Sequence, residues 1–594
     1  MITSTNPDPL RTYELEERIP FLLEDIDSLG IRIENVIDTF ESITGEKGEF
    51  NSILSNVAIL LRKMVSRPQS IPGNLANFRD GVGSIGTWLT NVKKQPLQID
   101  YLLLAGVDDI LPKTKPNFFQ ALLHEIRAFI SSFTVDQNNL SKTIDESEKN
   151  KEDDLHIWLG LGRDQAQLLR QMLDDSFNPE TNIAVNLELV ENMGGLLIPS
   201  ILAKTNPDVA LGAANMDLAF RGALYDISQF PDFEDVITRF SNSALTGFTF
   251  QDQVFALPEV QSFPMLFYRK DILNELGFSI PQTWDDIYKI LPILQERNMN
   301  FGLLPNMYNY MIFLYQRRVP LYKEDNIAVN LSSEQAIAAF QEMTDLFLLY
   351  DLPIEFNLVN RFRMGEMPLV IADYNQYNIL SVFAPELNGK WGIAPVPGIR
   401  ETDGTINRTV PVTQSMLIGT TIPAGTTGSV IFSNSDNKNE AWDFLKWWTR
   451  KDTQARFGFE MEALIGSAAR WATANKEALK MLPWRPEERM NLEAQWEWVE
   501  GIPPLLGGYY VPRHFDWLFR DVVLTYMPLR DSVLDYTDKI NHEITRKRDE
   551  FNLITNYDEL TDELKDLYWK TYTHVNVLDW QLDEAGERRY VDGD

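Results

Sequence analysis

Apolar residues in the first 130 positions recur at alternating spacings of four and three. Leu15, Ile19, Leu22, Ile26, Leu29, Ile33, Val36, Phe40 and Ile43 form one stripe. Ile71, Leu75, Phe78, Val82, Ile85, Leu89 and Val92 form a second, and Phe119, Leu122, Ile126, Phe129 and Phe133 a third. Between the first two, Phe50–Val65 reads as another helix, closed by Arg67-Pro68. A spacing near 3.5 keeps one stripe turned toward a partner helix, so this part is expected to be an antiparallel helical bundle. Pro20, Gly81 and Gly83 predict kinks or shortened ends. Leu97–Leu104 alternates and then runs apolar, as a strand does. Asn138–Asp154 is polar and charged, and the domain boundary is placed there.

From Leu155 the pattern changes. Leu155–Leu159 is a short apolar strand, followed by Gly160-Leu161-Gly162 and an amphipathic helix from Arg163 to about Phe177. Ile183–Val190 is a second strand, and Asp208–Leu211 a third after Asn206-Pro207. Strand, helix and strand in this rhythm imply parallel βαβ units. Ligands of such sheets bind beyond the C-terminal strand ends, so Gly160–Arg163 and Gly212–Asp217, with Asn215 and Asp217, are expected to border a cleft. The expected architecture is therefore α/β, preceded by an all-α bundle.

Composition narrows the function. At 594 residues the chain needs more than one domain. A formal charge of −32 repels phosphate backbones and anionic lipid, which argues against nucleic-acid and membrane-surface roles. With no cysteine there are no disulfides, thiolate metal sites or cysteine nucleophiles, and the five His are scattered without zinc spacing. The acidic loop Ser433–Asn439 lacks the alternating ligand order of a calcium loop and reads as a helix start. No P-loop, Gly-x-Ser-x-Gly or His-Glu-x-x-His occurs, so neither a cofactor nor a metal is implied.

Six segments, in order over roughly 300 residues, resemble the bacterial extracellular solute-binding proteins of the maltose-binding type. They are Ile157–Gln165, Asn206–Ala210, Phe255–Glu259 with Met265–Leu273 and Gly277–Asp286, Phe362–Val370, Gly392–Gly398, and Asn439–Thr449. The bundle resembles the extra helical segment of long Gram-positive members. The resemblance implies a two-lobe, periplasmic-binding-protein-like fold over residues 151–560, a bundle over 1–150 and a tail over 561–594. Chain crossings are expected near 265–270, 370–378 and 425–431. It further implies capture of a carbohydrate outside the cell by hinge closure and delivery to the permease subunits of an ABC transporter. The protein would be a monomer without catalytic activity, held as a lipoprotein by a segment outside this chain.

A sugar site needs aromatic platforms flanked by Asp, Glu, Asn, Gln and Arg, because sugars present both hydroxyl edges and apolar faces. Trp158 and Arg163 meet this need after the first strand, although Trp158 also suits the core and Arg163 the surface. Glu259, Gln261 and Ser262 form a polar cluster before an apolar strand. Asp373, Tyr374 and Tyr377 interleave acid and aromatic residues at a strand end, where the alternative is a helix cap with Tyr packed beneath. Arg470, Trp471, Tyr509 and Tyr510 complete the set, with Arg163 and Arg470 suited to an acidic sugar. The rival chemistry is a glycoside hydrolase or lyase using paired carboxylates such as Glu259 and Asp373.

Overall fold

The computed structural model describes residues 21–44, 49–72, most positions from there to 85, 154–190, 192–323, 326–413, 426–551, and short stretches near 565 and 580–590. The strand expected at Leu97–Leu104, the stripe at Phe119–Phe133 and most of the linker at Asn138–Asp154 lie outside the described residues. The chain divides into two compact units. One holds the N-terminal helices with residues 355–366 and 383–386, and the other holds the rest of the chain from Phe118.

In the first unit, helices Leu22–Thr44 and Glu49–Ser66 pack along their apolar faces. Leu54, Val57, Leu61, Met64 and Ile71 are buried, and Leu22, Ile26, Leu29 and Ile33 pack against that cluster. Gly81 sits against Val57, where an added Cβ would meet Val57 Cγ2 at 2.7 Å, so glycine permits the close approach. The first stripe does not hold its face to the end. Val36 and Ile43 are exposed, and Ile37 takes the inner position. A 3.5-residue repeat drifts by about 20° per heptad around a straight helix, so an unsupercoiled pair loses register over three heptads.

The second unit is built on two sheets. In chain order its main strands are β1 (Leu155–Leu159), β2 (Val185–Leu189), β3 (Val209–Leu211), β4 (Leu257–Val260), β5 (Pro264–Arg269), β6 (Phe301–Gly302), β7 (Leu369–Asp373), β8 (Trp391–Ala394), β9 (Val410–Pro411), β10 (Thr427–Ile431) and β11 (Val499–Glu500). The first sheet runs β2-β1-β3-β10-β4, with β1, β2 and β3 parallel and β10 antiparallel to both β3 and β4. The second runs β8-β5-β7-β6. Each sheet is covered by amphipathic helices. Ala210, Phe255, Ala256, Val430 and Phe432 of the first lobe pack against Leu197 and Leu218. In the second lobe Trp284 opens a helix capped by a Thr283/Asp286 box and stacks on Phe313 at 4.3 Å.

Strand pairing locates the crossings. β4 lies in the first sheet and β5 in the second, so Gln261–Phe263 carries the chain across. The crossing expected at 265–270 is thus displaced, because Pro264–Arg269 pairs on both sides within the second sheet. Residues 370–378 do not cross. β7 pairs with β5 and β6, and the chain returns to the same sheet at β8. Of the passage expected at 425–431, Thr427–Ile431 pairs within the first sheet, and residues 414–425 lie outside the described residues. A further connection follows Thr473, which bridges Val260 of the first sheet. Downstream, helix Pro486–Trp496 reaches the second, with Asn491 Nδ2 donating to Ile393 O at 2.9 Å.

Candidate functional site

Register fixes which strand ends share an edge. In the first sheet the C-terminal ends of β1 and β3 lie beside the start of β10, whose Thr427 pairs with Val260 at the end of β4. In the second, Pro264 at the start of β5 pairs with Asp373 at the end of β7, and β6 runs parallel to β7. The short connection Gln261–Phe263 joins these two edges. The loops beyond them, Gly160–Arg163, Gly212–Asp217, Leu303–Asn306 and Asp373–Gln376, therefore border one cleft between the lobes.

The floor of this cleft is a knot of hydrogen bonds between connecting segments. Gln261 N donates to Ala472 O at 3.1 Å, Thr413 N to Ser262 O at 2.9 Å, Thr426 N to Thr413 O at 2.7 Å, and Tyr374 N to Phe263 O at 3.1 Å. Ser262 N donates to Thr426 Oγ1 at 3.3 Å. Few bonds per segment let small φ/ψ changes move one lobe against the other. Ser262 Oγ and Thr427 Oγ1 are buried here without a partner among the described residues, so the floor retains hydrogen-bonding capacity.

Two carboxyls flank the floor. Glu259 is buried on β4 and accepts from Ser429 Oγ, from Trp448 Nε1 at 3.0 Å and from the Gly212 backbone N–H. Burial pushes it up to about 7 against those three donors. Gly212 has φ +63°, and an added Cβ there would point toward Glu259 Oε2 at 3.5 Å. Asp373 is half-buried across the cleft and is also pushed up to about 7 by burial, opposed by Thr413.

The remaining residues chosen from the sequence divide sharply. Asn215 and Asp217 are exposed on the rim, where Asn215 caps helix Met216–Phe220 by accepting from Asp217 N at 3.0 Å. Arg163 is exposed at the start of helix Arg163–Met172. Trp158 packs against the first-lobe core and donates to Glu188 Oε2 at 2.7 Å, as the core reading held. The Gln261 amide is spent on Ser241 and Ser243, both at 2.9 Å. Tyr374 and Tyr377 present no open platform. Tyr374 is fully enclosed, with its ring against Phe263 and its hydroxyl donating to Gln261 O at 2.8 Å. Tyr377 packs between Trp391 and Trp484. Arg470 is not poised for an acidic sugar, because Glu462 pairs with it through two bonds of 2.9 and 2.7 Å and Trp484 lies beneath its guanidinium. Trp471 is buried and donates to Gln454 at 2.7 Å. Tyr509 bonds to Glu543 and Tyr510 stacks on His514, both against the C-terminal helices.

Sequence reasoning missed Thr413, Thr426 and Thr427, which carry no local motif, and the segment after β6. There Leu304 is 41% exposed at the cleft edge, followed by Pro305, the capping Asn306 and half-buried Tyr308. The available signal was Leu304-Pro305-Asn306, a Pro and a capping residue directly after the short apolar run from Phe301.

Two family models match the chain. The bacterial extracellular solute-binding protein family matches residues 162–455, and the four-helix bundle domain of bacterial solute-binding proteins matches residues 1–95. The chain belongs to the bacterial extracellular solute-binding proteins. A binding protein of Brucella abortus is 24% identical over 297 residues, 46% of this chain and 66% of that protein, so the match spans just under two thirds of its relative. The multiple sugar-binding protein of Streptococcus mutans is 22% identical over 157 residues, 26% of this chain and 36% of the relative. Among solved structures, the sugar-binding protein MalE of Xanthomonas citri aligns at TM-score 0.56 and 18% identity, covering 67% of this chain and 99% of its own. The extracellular solute-binding protein of Staphylococcus aureus, in complex with maltose, aligns at 0.53 and 17%, covering 68% and 99%. These likenesses establish the two-lobe periplasmic-binding fold for this solute-binding protein. Among its described residues no helix is long and apolar enough to cross a membrane, and no group of three or more His, Asp or Glu is placed to hold a metal ion.

Proposed function

We propose that this solute-binding protein captures an oligosaccharide outside the cell and hands it to the membrane subunits of an ABC importer, its two lobes closing on the ligand. The observation that carries the reading is the pair of facing sheet edges joined by short connections, with unspent hydroxyls and a half-buried carboxylate between them. The sugar-binding relative of Streptococcus mutans supports the ligand class. Asp373, Asn215, Asp217, Ser262 and Thr427 supply polar contacts, and Leu304 and Tyr308 supply apolar surface for a sugar's C–H face. Binding without catalysis is favoured because Glu259, one member of the carboxylate pair a hydrolase would use, is enclosed and committed to three donors. We further place the protein in the cell envelope as a monomeric lipoprotein, with residues 1–150 as an accessory helical domain and 561–594 as a tail.

Screening plant and bacterial oligosaccharides by thermal shift, followed by small-angle scattering with the best binder, tests this reading. Closure lowers the radius of gyration at saturation, and an unchanged radius removes the hinge. Mass spectrometry after prolonged incubation is expected to find the sugar intact; shorter products, abolished by Glu259→Gln, would return the case to a hydrolase.

A further inference from the structure

A cavity of about 300 Å³ lies beside the crossing, away from the loops that border the cleft. Its first-lobe wall is helix Asn242–Thr246, anchored to that lobe by Arg239 Nη1 donating to Lys446 O at 2.7 Å. Its second-lobe wall comprises Tyr315, at the end of helix Met307–Tyr315, then Leu321, Tyr322 and Glu500. Gly501 closes one side so tightly that an added Cβ would meet Thr246 Cβ at 2.4 Å. The volume is at the lower end of small-molecule sites, which run from about 300 to 1,000 Å³.

What distinguishes this cavity is its polar groups. Tyr315 and Tyr322 are 4% and 7% exposed, yet neither hydroxyl has a hydrogen-bond partner among the described residues. Neither hydroxyl is fully enclosed, so each keeps accessible surface with which to bond a molecule in the cavity. Glu500 is exposed at the cavity's edge and has no cationic partner among the described residues; partial desolvation raises its carboxyl. Tyr315, Tyr322 and Glu500 all line this one space. Asn242 adds an amide, while Leu321 and Pro503 form apolar wall. Two phenols, an acceptor carboxyl and an apolar side match a ring with hydroxyls along its edge. A phosphate or carboxylate ligand would be repelled by Glu500, which no cation pairs with among the described residues.

We propose that this cavity is a second binding site, separate from the cleft, for a neutral polyhydroxy molecule of monosaccharide size held by the hydroxyls of Tyr315 and Tyr322 and the carboxyl of Glu500. The site does not depend on what the cleft carries. Isothermal titration of the full chain with D-glucose, D-galactose and myo-inositol tests it, beside the double variant Tyr315→Phe/Tyr322→Phe and the cleft variant Asp373→Asn. At least one probe binds wild type, and the double Phe variant weakens that probe by about tenfold or more. Its melting temperature stays level or rises, because neither lost hydroxyl bonds to protein. Asp373→Asn leaves the probe's affinity unchanged. The proposal fails if no probe binds at millimolar concentration, if binding survives loss of both hydroxyls, or if Asp373→Asn abolishes it; the last result would assign the probe to the cleft and leave the transport reading standing.

Discussion

Glu259 and Asp373 end strands on opposite lobes, and burial raises both to about 7. Their surroundings nevertheless differ. Glu259 faces Ser429, the fully buried Trp448 and the Gly212 N–H, so three protein donors already engage it inside the first lobe. Asp373 is half-buried beside Thr413, with Ser262 Oγ and Thr427 Oγ1 unspent among the described residues of the same floor. Two raised carboxyls in one cleft therefore differ: one stitches the first-lobe sheet to its covering helix, and the other is the one we propose for a ligand. Burial alone does not tell the two apart; the count of donors already in place does.

The largest consequence is in pH. The ordinary values are 4.5 for Glu259 and 3.8 for Asp373, so between about pH 4 and pH 7 the unfolded chain releases protons that the folded chain keeps. Each carboxyl then removes stability as pH rises through that window, by about 1.4 kcal/mol for each unit its pKa is raised. Urea unfolding from pH 4.5 to 7.5 is expected to show the decline, and Glu259→Gln and Asp373→Asn each flatten it. The general self-repulsion of an acidic chain has the same sign, so the difference between variant and wild type is the quantity to measure. A decline identical in all three proteins would show that neither carboxyl is held protonated.

Next in size is the loss of the brace. Glu259→Ala leaves the indole N–H of Trp448 and the Ser429 hydroxyl buried without an acceptor and opens a small void, costing about 3 kcal/mol. The equivalent change at Asp373 goes the other way. Asp373→Asn keeps the shape, relieves a buried carboxyl and holds or raises the melting temperature, while sugar affinity measured above pH 7, where the carboxyl has released its proton, falls about tenfold through loss of a charge-assisted acceptor. Titration calorimetry beside a thermal melt for each variant decides it. If Asp373→Asn unfolds the protein and Glu259→Ala weakens only binding, the two roles are reversed.

Legibility in the sequence follows the same divide between local and distant causes. Leu155–Leu159 and the helix from Arg163 were readable because alternation and amphipathic spacing are local, and the observed elements begin at those residues. The rim at Gly212–Asp217 was readable because a parallel strand end is a general address for ligands. The crossing assigned to 370–378 was not, since it depends on Asp373 pairing with Pro264 more than a hundred positions away. Nor does composition separate a platform from a brace. Tyr374 and Tyr377, interleaved with acid and amide, looked like stacking faces, yet they meet Phe263, Trp391 and Trp484 from distant segments. Thr413 and Thr427 became recognisable only through what they touch.

The smallest expected effect tests the joint between the two carboxyl regions. Tyr374 follows Asp373 directly, and its hydroxyl reaches back to the carbonyl of Gln261, two residues after Glu259. Tyr374→Phe removes that bond and keeps the ring packing against Phe263, at a cost of about 1 kcal/mol in stability. Because the bond ties the second lobe to the crossing segment, its loss also frees the hinge. The variant is then expected to keep the same closed radius of gyration with sugar bound, while the unliganded protein samples a wider spread of openings, read as a broader distance distribution between spin labels on the two lobes. A platform role predicts otherwise: Phe preserves the stacking face, so affinity and the unliganded distribution would both match wild type. A distribution that does not broaden would make Tyr374 packing alone, and Asp373 would then be held in place by its strand without help from the crossing.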